Sequence, residues 1–585
     1  MANVYEVATR IMRNIKLTSD NVNMEDCYSL CANKQYIEEL KTNDHQVIWG
    51  RRGTGKTTLL KAFTHDINFV DQEPSTIAIY IVMAHTIPTE DEINSISGDG
   101  SSLAVYVFSK LISEICNELE KNYYIRQGAM ESDCEDKFLN AFFGLRDYLT
   151  VYQTSLKGGE ISVDSLKSDE VKQALGYEIG AEIKPHIQAF SGLSKIFKKK
   201  GSQRSQKEVF EVKGILQFKL ETRVISEYIL QMLDALKISL VYICLDEYSE
   251  VDKVSEISIQ SKVAQLIKQV FFKKPMYSVK IATIWNQSKL HQRGGNRVEG
   301  IEYQQDIFAG PDLDIMFMEN NAEIINYFKE LLINTYLIDG VDENTSDKER
   351  NALSNYIVTD IFGDSGLRHI ICGSQGVSRA FAVLAKKYLH IFIKNGAGRV
   401  KLGDVYDIIK HHYLEDVRSK IPYFTLYKAV DTYVTDNLCR YFLVKREDYQ
   451  RCNALIKYLS SRGVFMQIPG QLTDKKIRDE YKLFVIHYGS YLDALESYSY
   501  RKGRKKLDED SKLEANGMLV PEYSPKLINT PASYTVSIPE GCETEVYCTE
   551  CNKMFNSVET GNRVRCPYCN HSMLRFIEFV DDVSL

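Results

Sequence analysis

Gly50-Arg51-Arg52-Gly53-Thr54-Gly55-Lys56-Thr57 is the stretch on which the reading of this chain turns. Before it, His45-Gln46-Val47-Ile48-Trp49 is apolar enough for a short buried strand, and after it Thr57-Thr58-Leu59-Leu60-Lys61-Ala62-Phe63 continues with helical periodicity. Strand, glycine-rich loop and helix in that order make a phosphate-binding loop. The glycines let backbone N–H groups converge on phosphate oxygens, and the helix N-terminus adds the positive end of its dipole. In this pattern Gly50, Arg51, Arg52, Gly53, Thr54, Gly55, Lys56, Thr57 and Thr58 surround a nucleoside triphosphate. Lys56 reaches the β- and γ-phosphates and Thr57 ligates Mg²⁺.

Hydrolysis needs an acid near that metal. The apolar run Leu240-Val241-Tyr242-Ile243-Cys244-Leu245 delivers Asp246-Glu247 at its end, which is the pattern of a Walker B strand. Asp246 is expected to hold Mg²⁺, usually through water, and Glu247 to polarise the attacking water as general base. A further strand is expected over Tyr277 to Asn286, after a helical stretch carrying Val263, Leu266, Ile267 and Val270. Functional groups in α/β sheets gather beyond the carboxyl ends of parallel strands, so Asn286 is placed to orient the water or sense the γ-phosphate. A turn-forming asparagine is its plainer role.

The bulk properties fit a multidomain globular chain. Its 585 residues predict roughly three to five domains. Hydrophobic residues make up 44% and charged residues 26%, ordinary globular usage. With 72 basic and 79 acidic residues the net charge is −7, so any DNA contact is local rather than a uniform basic coat. No signal-peptide pattern and no run of about 18 apolar residues is present, which predicts a cytoplasmic protein without a membrane partner. Of thirteen cysteines, only Cys548, Cys551, Cys566 and Cys569 form a tightly spaced set.

In order, these pieces resemble the AAA+ ATPases, especially the origin-recognition and initiator (ORC-like) group, whose members carry a GRRGTGKT-like loop and an apolar strand ending in DE. The resemblance covers roughly residues 20–85 and 225–400. It implies ATP as the nucleotide, an α/β fold with an αβα core and a helical lid, and a homo-oligomer. Asn286 then takes the sensor-1 position. Asp312-Leu313-Asp314-Ile315-Met316-Phe317-Met318 looks like the fifth strand, Asn321 to Leu337 like the first lid helix, and Gly376 to Phe381 like a sensor-2 segment that sets Arg379 against the γ-phosphate. Arg379 as a plain helix-surface residue is the alternative. An arginine from a neighbouring subunit completes such sites, and Arg293 and Arg297, in the loop after Asn286, are the nearest candidates.

The expected organisation is a core formed by residues 1–85 and 225–318, a largely helical insertion at 86–224, a lid at 319–420, a winged-helix-like domain at 421–500, a linker at 501–540 and a zinc ribbon at 541–585. Within the insertion, helices are expected over Ser102 to Tyr124 and Lys137 to Gln153. Its cluster Lys195, Lys198, Lys199, Lys200, Arg204 and Lys207 reads as a solvated loop or a phosphate contact. Arg451 to Arg462, Val464 to Ile468 and Tyr481 to His487 read as helix, strand and strand, followed by the basic run Arg501, Lys502, Arg504, Lys505 and Lys506. The two C-x-x-C pairs, separated by 14 residues, suit tetrahedral Zn²⁺. Cys542 reads as a bystander.

The leading reading is an ATP-driven switch on DNA or a DNA-bound partner. The alternative is a signalling or scaffold ATPase, for example in bacterial anti-phage defence, whose C-terminal modules bind protein. A small-molecule kinase fits poorly beside a long lid and appended domains. Lys56→Ala is expected to abolish nucleotide binding, whereas Glu247→Gln should bind ATP normally and fail to turn it over. Equilibrium binding and single-turnover hydrolysis check both; unchanged binding by Lys56→Ala would contradict the loop assignment.

Overall fold

The structure, a computed structural model, describes residues 4–16, 21–96, 100–126, 130–157, 160–162, 167, 198–199, 209–211, 220–254, 258–284, 287–294, 297–314, 321–338, 347–422, 424–437, 439–468, 479–502, 531–542, 545–547 and 554–556. The chain opens with helices α1 (Val4–Asn14) and α2 (Met24–Leu30) and enters the core at β1 (Gln46–Trp49). Next come α3 (Lys56–His65), β2 (Thr76–Val82), the long helices α4 (Gly100–Arg126) and α5 (Ser132–Leu156), α6 (Thr222–Ala235), β3 (Leu240–Asp246), α7 (Gln260–Phe271), β4 (Tyr277–Thr283) and β5 (Phe308–Asp312). The five strands form one sheet in the order β5-β1-β4-β3-β2. Every neighbouring pair is parallel.

Strands β1 and β4 are buried at every residue, as apolar runs are in a parallel sheet covered on both faces. Alternation sends Val47, Ile77, Ile79, Ile243 and Ile281 to one face and Ile48, Ala78, Cys244 and Ala282 to the other. The second face is covered by α3 through Leu59, Leu60, Ala62 and Phe63. The first is covered by α6, α7 and the two insertion helices, whose Leu103, Val107, Leu111, Phe138 and Phe142 share one apolar cluster with the strands. The insertion is thus a layer of the core. Its basic cluster lies outside the described residues except for Lys198–Lys199, a short strand of a small sheet with Glu160–Ser162 and Val209–Glu211.

The fifth strand corrects the sequence reading: it is Phe308–Asp312, upstream of the expected Asp312–Met318 run, of which 315–318 fall outside the described residues. Gly310-Pro311 reads as a breaker, but β5 is an edge strand paired only with β1. The register shifts between Val47 and Trp49 accommodate the proline. A two-stranded hairpin, His291–Gly294 with Arg297–Gly300, stands where a loop was expected after Asn286.

The lid comprises α8 (Asn321–Leu337), α9 (Asp347–Tyr356), α10 (Asp364–Ser374), α11 (Ser378–Lys394) and α12 (Leu402–His412). Phe328 of α8 stacks on Phe381 of α11 with ring centroids 4.1 Å apart. Helix α1 packs on both through Val7, Ala8 and Ile11, so the amino terminus belongs to the lid layer. Beyond the lid lie α13 (Thr425–Asn437), β6 (Tyr441–Lys445), a short helix Arg446–Arg451, α14 (Asn453–Ser461), β7 (Phe465–Gln467), β8 (Tyr481–Ile486) and α15 (Tyr488–Lys502). The last three strands make an antiparallel sheet in the order β6-β8-β7. Its inner face carries Phe442, Phe465 and Phe484, whose rings lie 5.4 to 5.6 Å apart.

Residues 531–542, at the end of the stretch expected as linker, lie against this unit. Val536 N donates to Leu443 O (2.9 Å), Arg451 Nη2 donates to Ile538 O (3.2 Å), and Val536, Ile538 and Cys542 are buried. The lid and the C-terminal sheet share one apolar cluster. At their contact a Cβ on Gly489 would sit 2.4 Å from Tyr413 Cβ and 3.0 Å from Ile409 O. Neither neighbour is the end of a flexible side chain, so Gly489→Ala is expected to destabilise the protein by about 1–3 kcal/mol. A lower urea midpoint at unchanged m value checks this, and wild-type stability would contradict it.

Candidate functional site

The phosphate loop leaves the carboxyl end of β1 with Gly53 at φ 89° and Gly55 at φ 101°, left-handed backbone that other residues adopt only with strain. A Cβ on Gly53 would also lie 2.9 Å from Arg379 Cβ. Gly55 caps α3 without a side-chain hydrogen bond. The first-turn N–H groups of α3 therefore face the loop as donors for an anion. Lys56 Nζ donates to Gly50 O (2.6 Å) and Arg51 O (2.8 Å). Burial pushes its ammonium down to about 8, with Asp314 and Asp246 opposing the shift.

Beside the loop, β3 ends in Asp246, only 2% exposed. Its Oδ2 accepts from Tyr80 Oη (2.8 Å) and its Oδ1 from Glu247 N (2.8 Å). Glu247 sits at φ 56°. A non-glycine residue held in left-handed backbone costs about 1–3 kcal/mol, and such strain concentrates where a side chain must be aimed. The loop after β4 is clasped to this segment by Gln260, which is fully buried. Its Nε2 donates to Ser249 O (3.2 Å) and Gln287 O (3.1 Å), and its Oε1 accepts from Lys289 N (2.5 Å). Asp252 Oδ1 accepts from Ile259 N and Gln260 N and so fixes the start of α7. Asn286 itself lies outside the described residues.

The lid meets the loop directly. Arg379 N donates to Gly53 O (3.0 Å), and Ser378 Oγ lies 3.0 Å from Tyr327 Oη. Arg51 makes the main tie: its N and Nε donate to Asp314 Oδ2 (2.7 Å) and Oδ1 (2.8 Å), and its Nη2 donates to Gln375 O (2.7 Å). Its guanidinium, expected at the nucleotide, instead joins the core to the lid. Gln375 caps α10 at φ 51°. In the amide orientation that satisfies both neighbours, its Nε2 donates to Gly463 O (3.2 Å) and its Oε1 accepts from His487 N (3.3 Å). The chain of contacts thereby runs on to the C-terminal sheet.

A cavity of about 220 Å³ opens between the loop, the end of β3 and the lid. One end holds Arg52, Gly53, Thr54, Gly55, Lys56, Thr57, Thr58, Asp246, Glu247, Thr283 and Arg379; the other is apolar, with Ile15, Val22, Leu30, Tyr36, Leu331 and Leu332. The polar end fits a triphosphate, and the Thr57 hydroxyl and Asp246 carboxylate that line it are hard oxygen donors of the kind Mg²⁺ takes alongside water and phosphate oxygens. The apolar end fits a base. Sequence reasoning missed it because it is assembled from residues 15–36 and from α8, which no motif links. It also missed Tyr80, Gln260, Asp314 and Gln375, whose roles come only from contacts distant in sequence.

Arg293 and Arg297 occupy the hairpin strands. Cys548, Cys551, Cys566 and Cys569 fall outside the described residues, and among the described residues no group of three or more His, Cys, Asp or Glu could hold a metal ion. No helix among them is long and apolar enough to cross a membrane.

The shift of Lys56 gives a pH dependence with a definite sign. Its ammonium is present below about 8 and lost above it. Phosphate oxygens favour the charged form, so binding above that value takes up a proton. Triphosphate affinity is expected to be flat to about pH 8 and then to fall by up to about tenfold per pH unit. Titration calorimetry at pH 7 to 9.5 in buffers of different ionisation enthalpy checks this; a flat profile without proton uptake would refute it.

Residues 21–312 match the ORC-CDC6-like protein family. No curated protein matches the chain. Among solved structures, the Aeropyrum pernix ORC2 protein in its ADPNP-ADP complexes is similar at 10% identity, over 84% of this chain and 98% of that one. Its TM-score of 0.30 is too low to carry an argument. The match spans the whole parallel sheet, from the loop on β1 to the end of β5, and over residues 21–312 this chain belongs to the ORC-CDC6-like family of AAA+ proteins.

Proposed function

We propose that this protein is an ATP-binding and ATP-hydrolysing switch that acts on DNA or a DNA-bound assembly. The observation that carries the reading is the direct bond from lid to phosphate loop, Arg379 N to Gly53 O at 3.0 Å. A lid bonded to the loop that holds the phosphates is a two-state element that nucleotide can bias. In this reading Lys56 and the α3 N-terminus hold the β- and γ-phosphates, Thr57 and Asp246 would hold Mg²⁺, Glu247 orients and deprotonates water, Asn286 serves as sensor 1, and Arg379 senses the γ-phosphate. Mg²⁺, when bound, neutralises charge on the phosphate oxygens. A neighbouring protomer supplies the missing arginine, from the hairpin that carries Arg293 and Arg297.

The C-terminal units support DNA as the target. The order α13, β6, Arg446–Arg451, α14, β7, β8 is helix, strand, two helices and two strands, which suits a winged helix with α14 offered to the major groove. Cys548 and Cys551 fall between the antiparallel strands Glu545–Tyr547 and Met554–Asn556, where a C-x-x-C knuckle of a four-cysteine zinc ribbon would lie. One observation favours the scaffold alternative: Arg451, just ahead of α14, is engaged by Asp448 and by the carbonyls of Ile538 and Pro539 rather than turned outward.

Duplex binding measured between 50 and 200 mM salt, about a fourfold span, with and without ATP, separates the two. The switch reading expects affinity to fall steeply with salt and to differ between nucleotide states. Binding that is absent, or indifferent to salt in both states, would favour the protein-scaffold alternative.

A further inference from the structure

The carboxylate assigned to the metal is itself held by a tyrosine from the sheet edge. Strand β2 pairs with β3 in a register that sets Tyr80 opposite Cys244 and Val82 opposite Asp246. In parallel strands at this register Tyr80, Val82 and Asp246 share a face. The phenol therefore runs along the sheet toward its carboxyl end, where Tyr80 Oη meets Asp246 Oδ2 at 2.8 Å. Lys61 Nζ lies 5.8 Å from the ring centroid and is tied to Val22 O (3.0 Å). This fixes the far side of the ring to the amino-terminal segment that lines the apolar end of the cavity.

A buried carboxylate is costly unless its lone pairs are satisfied. Here, among the described residues, Tyr80 Oη and Glu247 N each take a lone pair on one oxygen, and Asp246 also lines the cavity that Thr57 lines. We propose that Tyr80 is a positioning residue for the divalent cation: its hydroxyl fixes the rotamer of Asp246 with an oxygen turned to the cavity, and so sets how tightly Mg²⁺ joins the bound triphosphate. The proposal rests on the assignment of Asp246 to the metal. It adds a residue that no motif contains, on a strand that carries no other part of the site. Hydrogen-bonding partners of metal ligands typically alter metal affinity by about 10–100-fold when removed.

The test uses the full chain and a fluorescent ATP analogue, titrated with Mg²⁺ and separately in EDTA, together with binding of Mn²⁺ followed by its electron paramagnetic resonance signal. Tyr80→Phe keeps the ring and its packing. It should raise the Mg²⁺ and Mn²⁺ concentrations for half-saturation by about 10–100-fold, while affinity in EDTA and the melting temperature stay near wild type. A lowered melting temperature with an unchanged metal titration would overturn the proposal and leave Tyr80 a packing residue. Asp246→Asn separates this from failure of the underlying assignment. If wild type itself shows no metal-dependent binding, or Asp246→Asn titrates like wild type, then Asp246 is not the metal's ligand and both readings fall.

Discussion

The two-oxygen pairing of Arg51 with Asp314 is the interaction on which the arrangement depends. Both partners are largely buried, with side chains 12% and 14% exposed. Each oxygen of Asp314 accepts one charge-assisted hydrogen bond, one from the backbone of the loop and one from the guanidinium. Removing one partner of such a pair leaves a buried charge and typically costs about 3–5 kcal/mol. The geometry fixes the backbone at Gly50 and Arg51, whose carbonyls receive Lys56, relative to the end of β5. The second guanidinium bond, to Gln375 O, then sets the turn that delivers Ser378 and Arg379.

The consequence is mechanical continuity. Gln375 is bonded onward to Gly463 and His487, and the apolar cluster of the lid continues without a break into the C-terminal sheet. His487 is stacked on Tyr413 and buried, and burial together with the neighbouring His412, Arg440 and Arg51 keeps its imidazole neutral. Packed interiors respond to a shift at one point by moving as units rather than by deforming smoothly. A change in the phosphate loop is therefore carried outward by bonds and packing that are already in place.

Much of the core was legible because its signals are local. The glycines at 50, 53 and 55, the run ending in Asp246-Glu247 and the strand at 277–283 each carry their own periodicity. Helix Asn321–Leu337 was expected from the family resemblance, whereas α14 and the strands near 465 and 481 were readable from their own patterns. The fifth strand was misplaced because an edge position tolerates Gly310-Pro311, which local rules treat as a breaker. Strand β6 was overlooked since its pairing is with β8, some forty residues on.

By itself the sequence determined the phosphate loop, its acidic partners and the class of sheet that must carry them, because backbone conformation and strand burial there follow from residues adjacent in the chain. Only the tertiary structure decided what surrounds them. It gave the guanidinium of Arg51 to Asp314 and Gln375, brought residues 15–36 to close the apolar end of the cavity, and set Tyr80 and Gln260 against the segment of Asp246 and Glu247. The physical reason is that a hydrogen bond between residues far apart in sequence depends on strand order and layer packing, which no single stretch of chain encodes.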